Sequence, residues 1–171
     1  MSKIKIKNSK QKIADILLKI GCVNINFKNK FTLTSGKKSP VYVDCRKLIS
    51  FPKEREIVIN EMTKLIKSKY KKKVIVAGGE TAGIPYSSFI SHKLKMPMIY
   101  IRKQPKGFGK GKLIEGEYKK KSTSILIEDM ATDGGSKLHF INSLRKNTLS
   151  VKDIYVVFFY NIYPVAKKNL N

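Results

Sequence analysis

The chain has 171 residues, 42% of them hydrophobic, and a formal charge of +24. That length fits one domain with a proper core, and the apolar fraction is too high for a wholly disordered chain. Charges interrupt every apolar run well before the roughly 20 residues of a membrane span, and the basic start MSKIKIKNSKQK lacks the apolar stretch and cleavage site of a secretory signal.

The first ten residues are polar and expected to be frayed. Ile13, Ile16, Leu17 and Ile20 recur at helical spacing, and Gly21 is the natural stop. Phe31 to Leu33 and Val41 to Val43 read as short strands around the turn-rich SGKKSP. A second helix is predicted from Lys53 to Lys69, with Ile57, Met62, Leu65 and Ile66 on its apolar side. Val74 to Ala77 is a short strand closed by Gly78-Gly79, and Thr81 to Leu94 is a helix with Pro85 near its first turn. Met98 to Ile101 is a strand, and the glycine-rich Lys103 to Gly116 a loop. Ser124 to Ile127 is a strand, Ser136 to Lys146 a helix, and Ile154 to Tyr160 a last strand. Strands alternating with helices predict an α/β fold, a mainly parallel sheet flanked by helices, with a small hairpin region before it and no linker between domains. Ligands of such sheets bind beyond the carboxyl ends of the strands, where these loops gather.

The charge points first to a polyanion: nucleic acid, an anionic membrane or a phosphorylated small molecule. Only Arg46, Arg55, Arg102 and Arg145 among the 36 basic residues are arginine. Proteins that read nucleic acid lean on arginine for its bidentate fork, so the lysine excess reads as compositional drift on a solvated surface. Cys22 and Cys45 lack metal-ligand spacing and are too few for a disulfide scaffold, and His92 and His139 are isolated. A reducing cytoplasm is the natural setting, and no zinc site is expected.

The string ILIEDMATDGGSK, Ile125 to Lys137, carries the chemistry. Adjacent carboxylates at a strand end, Glu128 and Asp129, can accept hydrogen bonds from two sugar hydroxyls. Glycines opening a helix expose backbone amides that can cradle a phosphate. Together they describe a site for a ribose 5-phosphate. The string is neither a Walker A loop nor a GxGxxG dinucleotide turn. It resembles the phosphoribosyl-diphosphate (PRPP) signature of the type I phosphoribosyltransferases. Three further segments narrow the resemblance to the orotate phosphoribosyltransferases: FTLTSGKKSPVYVD (Phe31 to Asp44), GGETAGIP (Gly78 to Pro85) and RKQPKGFG (Arg102 to Gly109).

That resemblance implies a type I phosphoribosyltransferase fold over residues 1–171 and transfer of the phosphoribosyl group from PRPP to orotate with Mg²⁺, in pyrimidine (UMP) biosynthesis. Glu128 and Asp129 would take the ribose hydroxyls, and Thr132, Asp133, Gly134, Gly135 and Ser136 the 5′-phosphate. Gly79, Glu80, Thr81 and Ala82 would form the diphosphate turn, with metal contact partly through water and no direct protein ligand assigned. Lys106, Arg102 and Lys103 would stand on a mobile catalytic loop and stabilise the leaving diphosphate, Lys106 foremost. Asp129 would join them as a catalytic group. Tyr42 could wall the pyrimidine pocket, beside Thr132. A homodimer is implied, in which the loop serves the neighbouring site, with no membrane and no nucleic acid as partners.

Several positions depart from the family's pattern, and they bear on orotate more than on PRPP. Thr34 stands where a lysine often lies, Phe108 where a histidine does, and Thr81-Ala82 where Tyr-Lys does; no arginine follows Arg145. Arg46 is the candidate replacement for anchoring the orotate carboxylate, against an ordinary surface ion pair. The ending AKKNLN is read as either a short terminus or a truncated one. Two alternatives stay open: a PRPP-dependent purine enzyme or PRPP-binding regulator, and a basic nucleic-acid-binding protein built on the lysine runs at 69–73 and 119–121.

Overall fold

The computed structural model describes residues 3–33, 36–105, 112–132 and 134–160, and for 3–7 the backbone alone. Thr34, Lys106, Phe108, Asp133 and the stretch after Tyr160 lie outside the described residues. The chain divides into two compact units, 1–58 and 59–171.

In the first unit, α1 (Lys3–Lys19) begins earlier than its apolar spacing alone places it. Ile16, Leu17 and Ile20 are buried on one stripe, as the spacing predicts, and Gly21 follows at φ +67°. The hairpin differs from expectation. Strand β2 (Phe31–Thr32) pairs with β3 (Lys38–Ser39), whereas β4 (Val41–Val43) pairs with β1 (Val23–Ile25). Apolar β4 thus finds its partner in a strand of three residues, too short to stand out in the sequence. A short 3₁₀ helix (Cys45–Ser50) follows, and Cys22, Val43, Cys45 and Leu48 are all buried. Neither cysteine is in a disulfide, and burial pushes the Cys22 thiol up.

Helix α2 (Pro52–Lys69) opens on Pro52, whose fixed φ and missing N–H suit a first helical position, and crosses the boundary between the units. The second unit holds β5 (Ile75–Gly79), α3 (Gly83–Leu94), β6 (Met98–Ile101), β7 (Ile114–Glu115), β8 (Thr123–Ala131), α4 (Gly135–Lys146) and β9 (Ser150–Phe159). Its sheet runs β7-β6-β5-β8-β9, parallel throughout except for edge strand β7, which lies in the stretch predicted to be loop. The expected α/β class with a mainly parallel sheet is what forms.

Two layers bury the sheet. On one face Ile75, Ala77, Ile99, Ile101 and Leu126 meet Phe140, Ile141 and Leu144 of α4. α3 packs on β5 and β8, with Tyr86 and Ile90 fully buried. The strand order reverses between β5 and β8: the chain leaves β5 toward β6, and leaves β8 toward β9. Such a reversal opens a crevice at the carboxyl ends of those two strands. Among the described residues no helix is long and apolar enough to cross a membrane.

Leu144 is wholly buried in the core that holds α4 on the sheet. Leu144→Ala should cost ~2–5 kcal/mol, read from urea unfolding. A loss under about 1 kcal/mol, as for a surface substitution, would show that α4 is not held by this core.

Candidate phosphosugar site

Register places the loops side by side. Gly79 lies opposite Ile101, and Gly78 opposite Ile127. The turn after β5, the stretch after β6 and the acidic part of β8 therefore share one edge of the sheet.

After β5, Glu80 to Ala82 lead into α3, whose N-cap, Ala82, has no side-chain cap bond. The Glu80–Thr81 peptide is cis. The Glu80 amide donates to the Ile101 carbonyl at 2.8 Å, and Glu80 Oε2 accepts the Lys103 amide at 2.7 Å. This carboxylate thus ties the β5 turn to the start of the loop after β6. The Arg102 amide donates to the Leu113 carbonyl. Its guanidinium lies 4.0 Å from Glu115 Oε1 and donates through Nε to the Gln104 carbonyl. Lys103 is exposed.

β8 does not stop before the acids but runs through them to Ala131. Successive strand residues face opposite sides, so the acids diverge. Glu128 turns to the α4 side, where Phe140 and Lys137 stand. Asp129 Oδ1 accepts its neighbour's amide, Met130 N–H, at 2.8 Å. Both are buried, at 4% and 7% exposure. The helix start is as predicted: Gly134 takes φ +88°, a left-handed conformation that favours glycine. α4 opens at Gly135, and its N-cap residue, Gly134, has no side chain to cap it. Thr132 precedes this start, and Ser136 is exposed in its first turn. Amides at such a helix start, at the positive end of its dipole, can hold a phosphate.

The close approach at this edge is not visible in the sequence. A Cβ on Gly79 would lie 2.2 Å from Glu128 Oε1 and 2.4 Å from the Phe140 ring. One on Gly83 would lie 2.4 Å from the same oxygen. A buried ion pair adds to it: Lys137 Nζ stands 2.9 Å from Glu128 Oε2. Lysine in the first turn of a helix opposes the dipole, and that misfit just after two acids is the signal that could have marked Lys137. In the first unit, Arg46 donates to Asp44 Oδ1 at 2.7 Å and to the Tyr42 hydroxyl at 3.1 Å. That bond, ahead of other causes, holds the Asp44 carboxyl below its ordinary value, and the Tyr42 ring lies 5.6 Å from that of Phe31. Arg46 is thus in the local ion pair weighed against its anchoring role.

No protein-family model matches the chain. The orotate phosphoribosyltransferase of Ruegeria sp. (strain TM1040) is 43% identical over 159 residues, which cover 92% of this chain and 70% of the relative. The crystal structure of orotate phosphoribosyltransferase from Aeropyrum pernix matches with a TM-score of 0.76 at 26% identity, covering 93% of this chain and 89% of that one. A crystal structure of adenine phosphoribosyltransferase matches at 0.73 with 13% identity, over 94% of this chain and 95% of that one. That last likeness concerns the fold alone.

Burial pushes the Glu128 carboxyl from 4.5 up to about 7, against the pull of Lys137. Between those values the native protein holds a proton that the unfolded chain has released, so the stability from Glu128 is full below 4.5 and lost as pH rises through about 7. Glu128→Gln should lower stability overall, because it strands Lys137, yet flatten that fall. Urea unfolding at about pH 5 and about pH 8 measures it; an unchanged difference between the two would contradict the assignment.

Proposed function

The chain belongs to the orotate phosphoribosyltransferase family, and from that membership we propose how its own residues carry the family's reaction. The reaction passes the 5-phosphoribosyl group from PRPP to orotate, giving orotidine 5′-monophosphate and diphosphate in pyrimidine biosynthesis. The carrying observation is the meeting, at the β5/β8 reversal, of a glycine turn, two buried carboxylates and a helix start opened by glycines. This set suits a substrate with a diphosphate, a diol and a 5′-phosphate.

The amides at the start of α4, with Thr132 and Ser136, bind the 5′-phosphate. Glu128 and Asp129, towards the carboxyl end of β8, are the candidates for the ribose hydroxyls. The turn Gly79 to Ala82 takes the diphosphate. As the C1–O bond breaks, positive charge grows on the ribose and negative charge on the leaving group. Arg102 and Lys103 would supply the cations that stabilise that leaving group; the Lys103 amide, held by the Glu80 carboxylate, ties this stretch to the turn. Lys106 belongs to the same basic stretch.

Mg²⁺ fits this reading as a companion of the diphosphate. Among the described residues no three His, Cys, Asp or Glu side chains converge, and Mg²⁺ keeps waters and prefers phosphate oxygens. When bound it neutralises charge on the diphosphate. A cytoplasmic setting accords with two buried cysteines that form no disulfide. A homodimer, with the loop after β6 completing the neighbour's site, completes the proposal. Sedimentation equilibrium should then give twice the 19.5 kDa chain mass; a monomer at the concentrations of the activity assay would exclude the shared site.

Orotate consumption, followed by absorbance with PRPP and Mg²⁺, tests the activity. Lys103→Ala should lower kcat by ~10²-fold, as when one transition-state donor is lost, and Asp129→Asn should raise the KM for PRPP. Turnover of a purine base with none of orotate would replace this reading with a purine enzyme.

A further inference from the structure

The two lysine runs of the sequence, 69–73 and 119–121, lie far apart along the chain, and the fold brings them together. The first leaves the end of α2 and enters β5. The second precedes β8, in a turn where the Ser122 amide donates to the Lys119 carbonyl at 3.3 Å. β5, β8 and β9 are parallel neighbours, with Ile75 opposite Ser124 and Ser124 opposite Val151. Their amino ends therefore stand side by side, and Lys152 of β9 joins the two runs. Lys69, Lys71, Lys72, Lys73, Lys119 and Lys152 line one cavity of about 1060 Å³.

Ordered structure forms its walls. Val74 and Ile75, which line it, are buried, and Tyr118 packs against the core of the second unit. The Tyr70 hydroxyl donates to Asp153 Oδ2, while Lys69 Nζ stands 2.5 Å from Asp153 Oδ1. Asp153 thus fixes one side and engages one ammonium. Lys71, Lys72, Lys73, Lys119 and Lys152 are exposed and have no ion pair among the described residues. Glu117 is the one carboxylate among the lining residues. Ammoniums gathered around one hollow repel one another, and a multiply charged anion placed between them would relieve that repulsion.

The residue type narrows the ligand. No arginine lines the cavity, so it lacks the planar fork that reads base edges. Lysine binds phosphate as a point charge, and the hydroxyls of Ser122 and Thr123 add neutral donors. The volume lies at the upper end of small-molecule sites, roughly 300–1,000 Å³. We propose that this cavity is a second anion site, which takes a small molecule carrying a chain of phosphates: inorganic polyphosphate or the phosphate tail of a nucleotide. It lies at the opposite end of the strands from the phosphosugar site and stands whether or not that site is one for PRPP.

Inorganic tripolyphosphate is the probe, followed by the amide NMR signals of Val74, Ser122 and Thr123 in the cavity wall, where binding at the phosphosugar site does not register. These signals should move to saturation, and less readily as salt shortens the screening length from about 30 Å at 0.01 M to about 8 Å at 0.15 M. Lys72→Glu with Lys119→Glu should weaken binding about a hundredfold, roughly tenfold for each charged contact. Both positions are exposed, so this variant keeps the fold. Lys10→Glu with Lys12→Glu, at exposed positions of α1, makes the same change in net charge and should bind like the unaltered chain. Equal loss in both variants would show diffuse attraction by the whole surface and overturn the proposal, as would signals that do not move. A nucleoside triphosphate should bind as tightly as tripolyphosphate where the phosphate chain alone is read, and more tightly where the nucleoside is held as well. A single-stranded oligonucleotide that moves these signals when neither small molecule does would overturn the assignment to a small ligand.

Discussion

Between β5 and β8 the structure depends on side chains that are missing. Gly79 and Gly83 leave one pocket of space, and Glu128 Oε1 fills it with Phe140 at its wall. Any Cβ there would overlap a carboxylate or a ring by more than an ångström of normal contact. The rest of the edge follows. With no Cβ on Gly79, Phe140 reaches the sheet and α4 docks through Ile141 and Leu144. With α4 docked, Lys137 reaches Glu128. Gly83, as the first residue of α3, brings that helix to the same place from the other strand. The helix layers and the acidic strand end are coupled through one close contact.

That coupling gives the electrostatics their local character. Burial disfavours the charged form of Glu128, and an adjacent Asp129 adds to the penalty. A buried ammonium would be equally costly alone. Paired, each supplies what the other lacks. Such a pair adds little net stability over an apolar substitute, but removing either partner would leave the other buried and unpaired.

Much of this could be read in the amino-acid sequence, unevenly. Alternating apolar runs and helical stripes are strong signals, and α2, β5, α3, β6 and α4 lie within a few residues of where periodicity puts them. The acids in ILIEDM looked like the end of a strand because charge usually marks the surface. β8 instead continues to Ala131, since the reversal of strand order buries both faces there, and buried carboxylates survive when paired. β1 and β7 were illegible because two or three residues carry no period. Gly78 and Gly79 announced a turn, yet they end a buried strand; glycine marks both close approach and reversal, and only tertiary contact separates the two. Lys137 was hidden by abundance, one lysine among many.

The same abundance explains why the net charge says so little about the chemistry. Lys69, Lys71, Lys72, Lys73, Lys119 and Lys152 gather around a cavity of about 1060 Å³ that also touches Val74, Ile75 and Thr123, at the amino ends of β5 and β8. The candidate phosphosugar site is at the opposite ends. β5 alone, from Ile75 to Gly79, spans about 13 Å at roughly 3.3 Å per residue. Exposed charges are screened over about 8 Å at physiological ionic strength, so these lysines contribute little to the potential felt at Glu128 or by a bound diphosphate. Steering by the whole surface can speed the arrival of an anion. Short-range electrostatics require cations near the group they act on, and among the described residues near that edge are Arg102, Lys103 and the buried Lys137, the last already paired with Glu128. A formal charge of +24 therefore overstates the working charge of the site, which rests on a few basic residues set among carboxylates.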